Sequence, residues 1–211
     1  MQSFFWRWMW IWFAAVVGAF FADREVVMWV AGVVASGGGI DGTEGLAEGI
    51  AGWATGMGGA MANVLLELMV FLTDYGMLFA LILFAVALFE KHLIKQLVLV
   101  GLAFAVSLEV SYMLKEIFMV PRPYETWDII PLKYAEGFSF PSMHTAFIFS
   151  ALPFFGGGGA ELKLGRRWWW AWFALAILVA ISRIFVGVHY LSDVVAGAGF
   201  GYSVGWGLWI L

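Results

Sequence analysis

Six apolar runs, separated by polar or glycine-rich stretches, constrain the fold of this 211-residue chain more than any other feature. A helix needs about 20 apolar residues to cross the roughly 30 Å hydrocarbon layer of a bilayer. Hydrophobic residues make up 63% of the chain, against about 45–50% in an ordinary soluble domain. A soluble core of this size does not bury such an excess, so the sequence predicts an all-α, polytopic membrane protein with six transmembrane helices. The runs are Phe4–Ala22, Tyr75–Phe89, Leu97–Leu114, His144–Gly158, Trp168–Val186 and Val194–Leu211.

The chain is predicted to be a single integral-membrane domain over residues 1–211. Residues 1–74 hold the first span and a glycine-rich external segment, and residues 75–211 form a five-helix portion. The first run is interpreted as a span and not as a signal peptide, because the residues before Asp23 lack a small-x-small cleavage pattern.

The segment Ser36–Ala60 carries ten of the 26 glycines. Their spacing of three and four fits a glycine-faced interfacial helix lying over the site as a lid, and a flexible linker is the alternative.

Lysine and arginine placement predicts the orientation of the spans, because cytoplasmic loops are enriched in these residues. With a cytoplasmic N-terminus, six cations fall inside and five outside, and three of the outside cations belong to the motifs described next. The tryptophans 168–170 directly follow Arg166 and Arg167, as an aromatic belt beside an inside anchor does. We therefore expect a multi-pass protein of the cytoplasmic membrane with its motifs facing outside or the periplasm.

Three short blocks carry most of the polar chemistry. The first is a K-x6-R-P pattern from Lys115 to Pro123, the second is Pro141-Ser142-Met143-His144, and the third is S-R-x5-H-x3-D from Ser182 to Asp193. Each block is a weak signal alone, but all three lie in order and on the same predicted side of the membrane. A six-helix bundle with this topology brings them together.

The residue types in these blocks predict a phosphate site. Lys115, Arg122 and Arg183 place three cations at a hydrocarbon boundary, where unpaired charge is costly, so an anion is expected between them. Guanidinium groups bind phosphate oxygens in pairs, and a lysine adds a point charge. Ser142 and the first amides of the fourth span form a helix N-terminus that presents donors to the same anion.

The two motif histidines and one aspartate predict acid–base and nucleophilic chemistry beside that site. His189 and Asp193 are four residues apart, so the carboxylate can bind one imidazole nitrogen and leave the other free to attack. His144 is the other motif group able to donate a proton near neutral pH. The catalytic candidates are therefore His189, His144 and Asp193.

The three blocks resemble the signature of the type 2 phosphatidic acid phosphatase superfamily of membrane lipid phosphatases, K-x6-R-P, P-S-G-H and S-R-x5-H-x3-D. The resemblance covers about Tyr75–Leu211. It implies a six-helix membrane fold without a metal, a phosphohistidine intermediate on His189, and Asp193 as its orienter. It further implies His144 as the acid for the leaving group, with the phosphoryl group held by Lys115, Arg122, Ser142 and Arg183. Met143 is the one departure, because the family usually has glycine there.

The predicted function is hydrolysis of a phosphate monoester or diphosphate of a lipid. Undecaprenyl diphosphate, phosphatidylglycerol phosphate and phosphatidic acid all fit such a site. A lipid phosphotransferase, or a non-catalytic protein that binds lipid phosphates, are the alternatives. The expected partners are the lipid phosphate substrate and membrane lipids, and the sequence gives no indication of the oligomeric state.

Composition and net charge argue against several other kinds of site and partner. The absence of cysteine excludes disulfides and a thiolate metal site, and the three histidines do not supply a polyhistidine site beyond the motifs. We expect no metal and no cofactor. The net charge of −4 argues against a nucleic-acid partner.

Two expectations concern packing inside the bundle. Gly197, Gly201 and Gly205 recur at four-residue steps and predict a face for close helix approach within the chain. Glu109 lies inside the third span, where an ionisable group usually faces the bundle interior, and it is expected either to pair with Lys115 or to lie on a proton path.

Overall fold

A computed structural model of the chain describes residues 2–38, 59–89, 94–127, 129–156 and 165–211. All regular secondary structure within these ranges is helical, which confirms the predicted all-α class. The helices are α1 Gln2–Gly38, α2 Gly59–Phe89, α3 Ile94–Phe118, α4 Pro123–Thr126, α5 Met143–Ser150, α6 Leu152–Gly156, α7 Gly165–Phe185 and α8 Leu191–Trp209.

Long apolar helices make this a multi-pass membrane protein. Within the described ranges, three segments are long and apolar enough to cross a bilayer, namely Val64–Ile82, Val98–Thr126 and Trp168–Phe185. Met143–Phe155 is a shorter apolar segment. The count of six spans and the external position of the motifs stay predictions.

The helices of the first two runs extend beyond the apolar residues that predicted them. Helix α1 continues past Ala22 to Gly38, and α2 begins at Gly59, well before Tyr75. In α2 the added turns are stabilised by a buried apolar face that includes Leu66, Met69 and Leu72. The glycine-rich segment falls largely on residues 39–58, which lie outside the described residues. The interfacial lid helix and the flexible linker therefore both stay predictions.

The fourth run is divided into α5 and α6 at Ala151. Pro153 explains the division, because proline has no N–H and its ring clashes with the carbonyl of the residue four positions earlier, here Phe149. The chain therefore ends α5 at Ser150 and begins again at Leu152, with Pro153 in the first turn of α6, where a missing N–H costs little.

The predicted glycine face on α8 is the contact surface for α5. A methyl group added at Gly197 would lie 2.6 Å from the carbonyl oxygen of Ser142, and one at Gly201 or Gly205 would overlap the α5 backbone. Glycine is therefore what allows the two helix backbones to approach. Because α5 begins with the second sequence block and α8 begins with the third, this contact sets the distance between the two blocks.

Helix α1 packs on another face of α8. The indole of Trp12 lies where a side chain at Gly199 would otherwise sit, and its Nε1–H donates to the carbonyl of Val195 at 3.1 Å. On the far side of the bundle, Thr73 of α2 donates its hydroxyl to Ser182 of α7 at 3.1 Å. These contacts fix both flanks of the helices that carry the third block.

The structure corrects the expectation for Glu109. Its side chain is exposed, and the Lys115 ammonium instead donates to the carbonyls of Phe138 and Ser139. The pairing prediction relied on spacing along α3. A separation of six residues places two side chains on different faces of a helix with 3.6 residues per turn.

Candidate active site

All three sequence blocks meet at one buried place. Each of the predicted phosphate-binding residues is buried, as are the nucleophile candidate and its aspartate: Lys115, Arg122, Ser142, Arg183, His189 and Asp193. The charges of these neighbours also act on His144, the remaining candidate, at the start of α5. The structure therefore brings together every site residue predicted from the sequence.

The first block fixes the loop that precedes α5. The Arg122 guanidinium donates to three backbone carbonyls. Its Nε donates to that of Gly137 at 2.8 Å, one terminal nitrogen to that of Glu136 at 2.7 Å, and the other to that of Val188 at 2.9 Å. Lys115 donates to the next two carbonyls of the same loop, those of Phe138 and Ser139, at 2.5 and 2.8 Å. These two cations are thus held rigidly, and three of the five guanidinium N–H groups are engaged.

Arg183 differs from the other two cations. It is 5% exposed at the end of α7, and its Nε–H has no hydrogen-bond partner among the described residues. A buried guanidinium with an unused donor costs free energy unless an anion binds it. Asp74 is the acidic group whose charge acts on Arg183, but the Asp74 carboxylate already pairs with Lys133. Arg183 is therefore the cation most available to a ligand.

His189 and Asp193 form the expected hydrogen-bonded pair. The distance from His189 Nδ1 to Asp193 Oδ2 is 3.2 Å. The same carboxylate oxygen accepts the Tyr190 amide at 2.9 Å, which ties it to the first turn of α8. The side-chain hydrogen bonds of His189 to the described residues are made through Nδ1, which leaves Nε2 for a substrate.

The environment keeps His189 uncharged. Its side chain is 3% exposed. Burial and the neighbouring positive charges, Arg183 first among them, hold the pKa of His189 well below its usual value of 6.5. An imidazole in this setting is neutral at pH 7, the form that can act as a nucleophile.

The turn between α7 and α8 depends on a glycine inside the third block. Gly187 has φ +81°, a left-handed conformation that side-chain-bearing residues rarely adopt, and a Cβ there would lie 3.3 Å from Pro131. This turn reverses the chain between Arg183 and His189. The five residues between them in the third block therefore include this turn.

Ser142 directly precedes α5, and its amide and hydroxyl both bond to other groups of the protein. Its amide donates to the carbonyl of Asp193 at 3.1 Å, and its hydroxyl accepts from Thr145 at 3.0 Å. The amides of Met143, His144 and Thr145 follow in the first helical turn, where no intrahelical carbonyl is available to them. These amides are the donors that the helix N-terminus offers to an anion.

Two residues that the sequence analysis did not single out contact the site. Ser139 donates to Asp193 Oδ2 at 2.5 Å and lies 3.4 Å from His189 Nδ1. Asp23 of α1 binds Ser192, the neighbour of Asp193. Ser139 lies in a loop and Asp23 lies far away in the chain, so neither had a periodicity or a spacing that could reveal it.

An apolar groove adjoins the site between α1 and the loop that follows α3. Its volume is about 690 Å³, within the range of small-molecule pockets. Its lining includes Val17 and Phe20 of α1, Phe118 at the end of α3, Trp127 and the site residue Asp193. The groove could therefore hold an apolar chain next to the candidate site.

The chain is similar in sequence to known bacterial proteins. The chain is 34% identical over 135 residues to undecaprenyl-diphosphatase BcrC of Bacillus subtilis (strain 168), covering 63% of this chain and 67% of that protein. It is 36% identical over 107 residues to the putative undecaprenyl-diphosphatase YbjG of Escherichia coli (strain K12), covering 49% and 50%.

The fold has a counterpart among solved structures. The crystal structure of a transmembrane PAP2-type phosphatidylglycerolphosphate phosphatase from Bacillus subtilis matches with a TM-score of 0.56, 23% identity, and coverage of 93% and 94% of the two chains. At this identity the match shows the shared fold alone.

The sequence model of the PAP2 superfamily matches residues 96–211, which include all three blocks. On that match over more than half of its length, this chain belongs to the PAP2 superfamily.

Proposed function

We propose that this protein hydrolyses the phosphate monoester or diphosphate of a membrane lipid through a phosphohistidine on His189. The observation that carries the proposal is the hydrogen-bonded His189–Asp193 pair, because the charges of three buried cations act on its imidazole. One of these cations, Arg183, has an unused donor. A nucleophile, its orienting carboxylate and an anion site in one place are the parts that phosphoryl transfer requires.

In the first step, His189 Nε2 attacks phosphorus and the bond from phosphorus to the leaving oxygen breaks. In the substrate complex the negative charge of the phosphate offsets that of the neighbouring cations, and a protonated His144 gives its proton to that oxygen, which departs with the lipid alcohol or lipid phosphate. Asp193 accepts the Nδ1–H of His189 and stabilises the positive ring. Arg183 and the first amides of α5 bind the charged equatorial oxygens, while Lys115 and Arg122 add positive charge.

In the second step, water attacks the phosphohistidine and the bond between phosphorus and Nε2 breaks. His144 now takes the proton of the attacking water, which restores its starting state. The products are inorganic phosphate and the free enzyme. No step uses a metal ion, so we propose that the reaction is metal-independent. A phosphotransferase would instead deliver the phosphoryl group to an acceptor hydroxyl.

Undecaprenyl diphosphate is the substrate that we favour. Two relatives bear the name undecaprenyl-diphosphatase, one of them as a putative assignment. The apolar groove beside Asp193 supports a substrate with a hydrocarbon chain. Phosphatidylglycerol phosphate and phosphatidic acid are the substrates against which this preference must be tested.

The test is phosphate release by the purified protein from these three lipids, with and without EDTA. We expect turnover that EDTA does not change, with inorganic phosphate as the product, and an acid-labile phosphoenzyme in rapid-quench samples. His189→Ala should abolish both, whereas His92→Ala, the histidine outside the three blocks, is the matched control. Wild-type turnover by His189→Ala would overturn the mechanism, and loss of turnover in EDTA would overturn metal independence.

We also propose that the protein lies in the cytoplasmic membrane with its site facing outward. The chain has no cysteine, so single cysteines report topology cleanly. An impermeant maleimide applied to intact cells should label Lys133→Cys and leave Lys163→Cys unlabelled. The opposite pattern would place the site on the cytoplasmic side.

A further inference from the structure

A buried carboxylate on α1 binds the helix that carries Asp193. Asp23 is 7% exposed, although Phe20 and Phe21 just before it are 70% and 81% exposed. Its Oδ1 accepts the amide of Ser192 at 2.8 Å, and its Oδ2 accepts the Ser192 hydroxyl at 2.6 Å. A carboxylate that is buried this deeply is stable only when hydrogen-bond partners compensate for its lost hydration.

Ser192 occupies a specific place in the site. It is the second residue of α8, where the amide has no intrahelical acceptor. The following residue, Asp193, accepts the Tyr190 amide and binds His189. Two carboxylates therefore hold the first turn of α8, Asp193 from within the helix and Asp23 from α1.

We propose that Asp23 is a positioning residue for the His189–Asp193 pair and acts through Ser192. This inference rests on the proposed phosphatase function. The Asp193 carboxylate is bonded to both Tyr190 and His189, so a shift of the first turn of α8 moves the histidine as well. Asp23 also lies outside residues 96–211, the part of the chain that the family model matches. The first helix thus supplies part of the active-site framework and does more than anchor the chain.

The experiment compares Asp23→Ala with two other variants. Asp23→Asn keeps an acceptor for the Ser192 amide and an amide donor toward the Ser192 hydroxyl, so it should restore most of the activity. Trp12→Phe is the matched control, because it removes a different hydrogen bond between α1 and α8, the one to Val195. All three are compared with the wild type in turnover of a lipid phosphate and in amide hydrogen exchange over residues 190–193.

We expect Asp23→Ala to lower kcat by about 10- to 100-fold, the size of effect that misplaced catalytic groups produce, with KM changing much less. Hydrogen exchange over residues 190–193 should quicken in this variant and remain unchanged in Trp12→Phe, which should keep wild-type kcat.

Wild-type kcat in Asp23→Ala would overturn the inference. An equal loss in Trp12→Phe would overturn it too, since the effect would then be one of helix packing in general. A wild-type protein inactive on every lipid phosphate would instead refute the proposed function, and the exchange measurement would still report whether Asp23 orders the first turn of α8.

Discussion

The Ser139 hydroxyl donates to Asp193 Oδ2 at 2.5 Å, the same oxygen that lies 3.2 Å from His189 Nδ1. Ser139 is fully buried, and its carbonyl accepts the Lys115 ammonium. One loop residue thus connects the Asp193 carboxylate to a cation of the first sequence block. Ser139 also lies 3.4 Å from the histidine itself, so it limits the orientations that both partners can adopt.

Replacing Ser139 should weaken catalysis without abolishing it. A hydrogen bond to a charged group contributes about 1.5–3 kcal/mol, and about 1.4 kcal/mol corresponds to a tenfold change in rate. We therefore expect Ser139→Ala to lower kcat/KM about 12- to 140-fold, with a larger loss in Asp193→Asn. Ser150→Ala, which removes the local hydrogen bond of another buried serine to Phe147, serves as the control. Equal activity in Ser139→Ala and the wild type would contradict the positioning role of this hydroxyl.

The contact between α5 and α8 predicts that alanine substitutions at two glycines of α8 change the stability of the protein to different extents. A methyl group at Gly201 overlaps the backbone of Ala146, whereas one at Gly207 meets nothing within 4 Å. Overpacking costs about 1–3 kcal/mol, so Gly201→Ala should lower the melting temperature in detergent and reduce activity. Gly207→Ala should leave both unchanged or raise stability by up to about 1 kcal/mol, because alanine favours helix. Identical melting temperatures for the two variants would rule out this packing.

The protonation of His189 is open to direct measurement. The chain has three histidines, so their imidazole signals in a nitrogen-15 NMR titration can be assigned by substituting each in turn. Burial and nearby positive charge lower the pKa of His189, which means that its neutral form persists as the pH falls below 6.5. We expect the His189 signal to remain that of the neutral ring from pH 8 down through pH 6.5, and the acid limb of kcat/KM to lie below that value. Protonation at or above pH 6.5 would contradict the arrangement of charges around it.

Met143 is the one departure from the family signature, and it occupies the first position of α5. Its amide can donate to phosphate whatever its side chain is, and the flexible thioether can pack away from the anion. We expect Met143→Gly to retain hydrolysis within about threefold, measured on a small and a bulky phosphate ester, with the bulky ester gaining more. If the wild type is inactive on every lipid phosphate and Met143→Gly is active, the native protein is a non-catalytic lipid binder.

A bulky side chain in the groove beside Asp193 should slow the hydrolysis of long-chain substrates more than that of short ones. Val17 lines this groove on α1, and Ile11 on the same helix does not. We expect Val17→Trp to lower kcat/KM for a long-chain lipid phosphate about tenfold, because remote binding energy is lost, and to leave a short soluble phosphate ester unchanged. Ile11→Trp, on an exposed side chain, is the control. Equal effects of Val17→Trp on both substrates would show that the groove does not receive the chain.

Much of the fold and site follows from the sequence because the relevant information is local. Long apolar runs predict membrane helices regardless of what surrounds them. The four-residue steps of Gly197, Gly201 and Gly205 predict a face for close packing, and the structure confirms it against α5. The spacing of His189 and Asp193 around a helix start likewise predicts their hydrogen bond.

Other features depend on contacts between residues far apart in the chain. Spacing along α3 suggested a partner for Lys115, but the lysine binds loop carbonyls instead. Ser139 and Asp23 reach the site only because a loop and a first helix pack against α8. The candidate site residues could be found from residue type and local spacing alone, because both are properties of the sequence. The groups that orient them could be found only in the folded chain, because hydrogen bonds to backbone carbonyls and amides depend on where distant segments meet and leave no pattern in residue type.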